Sequence, residues 1–220
     1  RATGSEFTNY REDWAFRVTY NYADKYFFEY NGAYNGSDKF SSDHRFAFFN
    51  SGAIGWMISE EKFMKPLKFI DLLKLRASYG EIGNDEIGNE WDANYRWLYM
   101  TQWETGGNIL TGLYNAASPY TFYREKTVGN PDIHWEVVRK FNFGIDYSFF
   151  NGLVAGSVDI FNDTRTDILV SGSDRAIPSY FGMTPPRANL GKVNSHGYEL
   201  ELRLNHVFPN EMRAWLNANM

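Results

Sequence analysis

The 220-residue chain contains no cysteine, so neither a disulfide framework nor thiol chemistry is open to it. No apolar run approaches the ~18 residues that a membrane-crossing helix needs, and the mean hydropathy is −0.49. These exclude a helical span but not a β-barrel, whose strands alternate and whose loops are polar. Basic charge is also scarce. Lys and Arg number 22 against 27 Asp and Glu, for a net charge of −5. No basic stripe is visible, which argues against a nucleic-acid partner. The histidines His44, His134, His196 and His206 are scattered, without metal-ligand spacing. Phosphate loops, GxGxxG and GxSxG are missing. The chain therefore reads as no enzyme, with no metal and no cofactor. It begins at Arg1 and has no signal-peptide pattern, so a piece of a longer protein is expected.

Aromatic residues are abundant: 15 Tyr, 18 Phe and 7 Trp. That composition favours strands over helices. Residues 141–161, FNFGIDYSFFNGLVAGSVDIF, place Asn151-Gly152 between two alternating runs. This predicts a hairpin with a two-residue turn. Its register sets Phe149 opposite Val154. One face then carries Phe141, Phe143, Ile145, Tyr147 and Phe149, and the other Asn142, Gly144, Asp146 and Ser148. The same period-2 test finds strands at 14–22, 26–36, 46–58, 72–80 and 198–205, with a further one beginning near Met212. The fold class is all-β, an antiparallel up-and-down meander of about eight strands.

Alternation does not say what the apolar face touches. A soluble β-sandwich alternates as well as a membrane barrel does. Three features favour the barrel. Small residues (Ala53, Gly55, Gly144, Ser148, Ala155, Ser157) crowd the polar faces, as a packed lumen requires. Aromatics such as Trp14, Tyr22, Tyr26, Trp56, Tyr79 and Phe149 gather at strand ends, where membrane girdles form. The connections are unequal: short turns at 23–25 and 151–152 lie on one side, and the long 84–136 loop on the other. Outer-membrane barrels have this asymmetry. Residues 59–71 are the outlier on the short side, a longer turn. The alternative is a soluble or surface-attached β-sandwich that binds glycans.

FFNSGAIGWMISEEKFMK (48–65) and LLKLRASYGEIGN (72–84) resemble late barrel strands of the SusC/RagA type of TonB-dependent outer-membrane transporter. GNPDIHWE (129–136), NDTRTDIL (162–169) and ANLGKVNSHGYELEL (188–202) continue in the family's order. Asn50, where the family often has Pro, and His196, where it often has a basic residue, depart from the pattern. Residues 1–220 would then be part of a large transmembrane β-barrel with no plug domain present. The resemblance implies an active transporter in the bacterial outer membrane, importing oligosaccharides or peptides and energised through TonB. Its partners would be outer-membrane lipid, the TonB complex via the missing N-terminal part, and a SusD-like surface lipoprotein.

On that reading Trp135 sits at the outer membrane interface, and Gly191 and Gly197 permit a bend or bulge at the rim. Arg17, Glu29, Arg76, Asp146, Asp159, Glu199, Glu201 and Arg203 are lumen-lining. Asp163, Asp167 and Asp174 read as a solvated acidic loop without the EF-hand pattern. Trp91, Trp97, Tyr99 and Trp103, in the 84–136 loop, are candidates for substrate or lid contact. Alternation in YRWLYMTQW (95–103) hints at a strand there. The plainer account is that these aromatics pack the loop against itself.

Overall fold

The computed structural model describes residues 10–88, 96–109, 120–209 and 211–220. β1 (Arg11–Tyr22), β2 (Tyr26–Ser37), β3 (Phe46–Met57) and β4 (Ile70–Asn84) come first. β5 (Gln102–Asn108) and β6 (Thr121–Thr127) follow, then β7 (Glu136–Phe149), β8 (Val154–Val170), β9 (Ala188–Val207) and β10 (Arg213–Asn219). An 8-stranded antiparallel sheet has the order β1-β2-β3-β4-β7-β8-β9-β10, and β5-β6 forms a separate 2-stranded sheet. Apart from that excursion, neighbours in the sheet are neighbours in the chain, as a meander requires.

The register separates two faces. Leu75 lies opposite Ile145, Ile145 opposite Val158, and Val158 opposite Leu200, in one apolar row across four strands. On the other side Arg76 lies opposite Gly144, and Gly144 opposite Asp159. The apolar face is uncovered. Trp14, Tyr20, Phe28, Ile54, Phe141, Ile160 and Tyr198 are all exposed on it. Among the described residues, the buried apolar side chains are Phe40, Phe49, Ile87, Ile133 and Trp135. A sandwich of this size would bury one whole face of the sheet.

The apolar band is bounded. On β7 it runs from Phe149 to Phe141, about 26 Å along the strand at ~3.3 Å per residue. At a tilt of ~40° this is roughly 20 Å along a barrel axis. Above it, on β4, β7 and β8, the same face turns polar. Asn50 donates to Glu81 (3.3 Å), Arg139 donates to Glu81 (3.0 Å), and Thr164 donates to Asn194 (2.9 Å). At the other end, the Tyr26 hydroxyl (2.6 Å), the Trp56 indole (3.3 Å) and Lys25 (3.2 Å) all donate to Glu61. These donors hold the Glu61 carboxyl below the usual carboxylate range, the Tyr26 hydroxyl most strongly, then the Trp56 indole.

Several local expectations change. The Leu153 amide closes the 151–152 turn on Phe150 O (3.3 Å), as a two-residue turn requires, but strand pairing stops one pair short of it. Phe149↔Val154 is the last pair, and Phe150, Asn151 and Gly152 all have positive φ (57°, 56° and 78°). The preceding turn holds this unusual bend: the Phe150 amide donates to the Phe69 backbone carbonyl (2.8 Å) and the Gly152 amide to the Asp71 carboxylate (2.9 Å). The predicted register of the hairpin is unaffected. Asp163 and Asp167 lie in β8 rather than in a loop, and Asp163 pairs with Lys140 (3.2 Å). Asp174 ends a short 3-10 turn, Gly172–Asp174. The rim bulge falls on β8, where Asp167 has φ 61° and the register slips between Arg165 and Leu169. Gly191 faces that bulge, where a Cβ would come within 2.9 Å of Ile168 Cβ.

Candidate functional site

All eight predicted lumen residues lie on the polar face: Arg17 on β1, Glu29 on β2, Arg76 on β4, Asp146 on β7, Asp159 on β8, and Glu199, Glu201 and Arg203 on β9. They do not form one cluster. Arg17 donates to Glu29 (2.6 Å), which also accepts from Asn31 (2.9 Å). Arg203 donates to Glu201 (2.7 Å) within its own strand.

The centre is a row reading Gly55, Arg76, Gly144, Asp159 and Glu199 on successive strands. Arg76 Nε donates to both oxygens of Asp146 (3.2 Å each), and its Nη2 donates to Asp159 (2.6 Å). Asp159 is two strands away, so the guanidinium must cross β7. Gly144 lets it cross. A Cβ there would lie 2.6 Å from Asp159 Oδ1 and 2.7 Å from Arg76 Cζ. Asp159 is only 7% exposed, and its Oδ1 has no hydrogen-bond partner among the described residues. Each such charge-assisted hydrogen bond contributes about 1–3 kcal/mol. Arg76 thus bridges two carboxylates, and Glu199 stands directly opposite Asp159 on β9.

A second polar centre, which the sequence reading missed, lies where the strands leave the band. Glu136, buried, accepts from Arg165 (2.5 Å), Asn84 (3.1 Å) and the Leu169 amide (3.0 Å). It joins β4, β7 and β8. Asn189 donates to the carbonyls of His134 (2.9 Å) and Asp167 (2.6 Å). His44 and His134, scattered in sequence, come together with their rings tilted at 43° and 5.6 Å between centroids. Beside them Trp135 is only 3% exposed, between Phe40 (5.3 Å) and Phe49 (5.6 Å), with its indole donating to Arg45 O. It is a core residue of the rim and not an interfacial aromatic as the sequence suggested. A surface Trp and a core Trp share the same local sequence signature, and what tells them apart here is Phe40 and Phe49, 95 and 86 residues earlier in the chain.

The loop aromatics divide. Trp91 lies outside the described residues. Trp97 and Tyr99 sit in a turn, half-buried, in which the Met100 amide bonds Trp97 O (3.0 Å), so the expected strand starts later, at Gln102. Trp103 is on β5 and 61% exposed. Leu98, between them, packs on the rim core. Among the described residues no group of three or more His, Asp or Glu side chains could hold a metal ion.

An uncovered apolar band with polar boundaries on one face, and an ion-paired, glycine-spaced opposite face, define a section of the wall of a large transmembrane β-barrel. The comparisons agree. The family model described as "TonB dependent receptor-like, beta-barrel" matches residues 4–220, and the chain belongs to that family. It is 34% identical over 202 residues to TonB-dependent receptor P39 of Formosa agariphila, covering 92% of this chain and 18% of the relative. It is 28% identical over 204 residues to TonB-dependent receptor SusC of Bacteroides thetaiotaomicron, covering 93% of this chain and 19% of SusC. The solved structure of the RagAB peptide importer in its "closed-closed" state matches with a TM-score of 0.74 and 25% identity, over 95% of this chain and 21% of that one. The chain thus spans about a fifth of its relatives' length.

Proposed function

We propose that this chain forms part of an outer-membrane active transporter that imports oligosaccharides or peptides and is energised through TonB. The observation that carries the reading is the uncovered apolar face, bounded at both ends by polar rows. A barrel wall needs such a face toward lipid, whereas a glycan-binding sandwich would cover it. On this reading Arg17, Glu29, Arg76, Asp146, Asp159, Glu199, Glu201 and Arg203 line the lumen, opposite a plug carried elsewhere in the protein.

Membership of the TonB-dependent family supports energy coupling. Kinship with SusC and RagAB supports a SusD-like surface lipoprotein as partner. Peptide is the cargo named for RagAB, and oligosaccharide is the cargo implied by the sequence resemblance. On the same reading Trp103, exposed on β5, and Trp97 and Tyr99 before it would meet substrate or lid above the barrel.

The test is uptake of labelled oligosaccharides and peptides by cells carrying the full-length gene, its deletion, or the gene in a background without TonB. Uptake of one class should vanish in the last two strains. Uptake that survives loss of TonB would identify a passive pore instead.

A further inference from the structure

The connection from β3 to β4 is built from turns laid end to end. The amides of Glu61, Met64, Leu67 and Ile70 donate to the carbonyls of Ile58, Glu61, Met64 and Leu67, at 2.9, 3.0, 2.9 and 3.1 Å. Each bond closes an i→i+3 turn. The last three turns share one pattern. Their second positions are Lys62, Lys65 and Lys68, and their third positions are Phe63, Pro66 and Phe69. All six side chains are exposed, while Met64 and Ile70, at turn corners, are half-buried.

The lysines have no ion pair among the described residues. The carboxylates flanking them are engaged elsewhere: Glu61 by Lys25, Tyr26 and Trp56, and Asp71 by the Gly152 amide and Ser148. Glu60 is exposed beside them. A merely solvated charged turn accounts for the lysines but not for the exposed Phe63, Leu67 and Phe69 interleaved with them. Phe69 stacks on Phe150 at 5.8 Å and lies 6.4 Å from Phe149, the last residue of the apolar band on β7. The apolar side chains of the turn are therefore continuous with the face that meets hydrocarbon, and the lysines lie just beyond its edge.

We propose that residues 58–71 form a docking surface for anionic phospholipid headgroups, of the phosphatidylglycerol class, in the leaflet at the short-turn end of the barrel. The proposal rests on the barrel reading above. Phe63 and Phe69 seat at the acyl boundary, and Lys62, Lys65 and Lys68 meet the phosphates. Charge complementarity selects this occupant: three unpaired cations at one repeated position face the level at which lipid phosphates lie. A lysine near an anionic lipid surface is worth about five-fold in binding, so three give on the order of 100-fold.

The experiment titrates the full-length transporter in detergent with phosphatidylglycerol or phosphatidylethanolamine of identical acyl chains, with bound lipids counted by native mass spectrometry. The wild type should retain phosphatidylglycerol preferentially, less so as salt rises. The triple variant Lys62→Gln, Lys65→Gln, Lys68→Gln should lose that preference with unchanged phosphatidylethanolamine binding, and the triple Arg variant should keep it. Each single Gln variant should lose about five-fold, which preserves the test if the triple variant does not assemble. Equal retention of the two lipids by the wild type, or an undiminished preference in the Gln variants, overturns the proposal. Heat-modifiable migration in SDS gels reports the barrel separately. Its absence would overturn the barrel reading, and its presence with unaltered lipid preference would overturn only the lipid site.

Discussion

Replacing Leu200 by Arg tests the assignment of the two faces most directly. The row Leu75–Ile145–Val158–Leu200 is the middle of the band. On β7, Phe143 and Phe141 lie above Ile145, and Tyr147 and Phe149 lie below it. An arginine at the bilayer midplane costs about 2–4 kcal/mol, falling to ~0–1 near the interfaces. Leu200→Arg should therefore lower the folding constant roughly 30- to 900-fold. Leu202 is one row nearer the turns, about 7 Å along the strand, and Leu202→Arg should cost about 1–3 kcal/mol. Glu201→Arg, between them but on the opposite face, loses only a half-exposed pair with Arg203 and should cost under about 1 kcal/mol. Guanidinium titration of the full-length protein in phospholipid vesicles, followed by tryptophan fluorescence, gives the three values. Equal costs at 200, 201 and 202 would refute the assignment, and so would a larger cost at 201.

Two other predictions concern polar groups. Gly144→Ala puts a methyl group where Arg76 crosses to Asp159 and should cost about 1–3 kcal/mol; in an Asp159→Ala background most of that cost should disappear, and full additivity in the same titration would count against the bridge. Because Tyr26, Trp56 and Lys25 depress the Glu61 carboxyl, its contribution is fully present above the ordinary carboxylate pKa and lost as pH falls through the lower folded value; the difference in thermal midpoint between wild type and Glu61→Gln should shrink toward zero on acidification, and a difference that grows would reverse the sign.

The part of the fold embedded in the band was legible because lipid on one side and water on the other impose a strict period of two. Phe141 through Phe149 could be assigned to one face from sequence alone. The upper halves of β8 and β9 were not legible. Asn162–Thr166 and Lys192–Ser195 are polar at nearly every position, since both faces meet water there, and the alternation fades although the strands continue. The polar-face residues could be assigned one by one from the alternation, but not the reach of Arg76 across β7. That depends on the register between residues 83 apart in the chain and on the missing side chain at Gly144. Glu136 and Asn189 escaped for a related reason: a polar residue that ties irregular backbone together looks, in sequence, like any solvated one.

β9 carries one consequence beyond the membrane. From Asn194, in the polar row above the band, to Ala188 it continues for about 20 Å. β8 climbs beside it, and together they carry the 171–187 connection like a mast. That connection is therefore held well above the headgroups. Substitutions at the masthead can reshape its surface without disturbing how the wall below inserts.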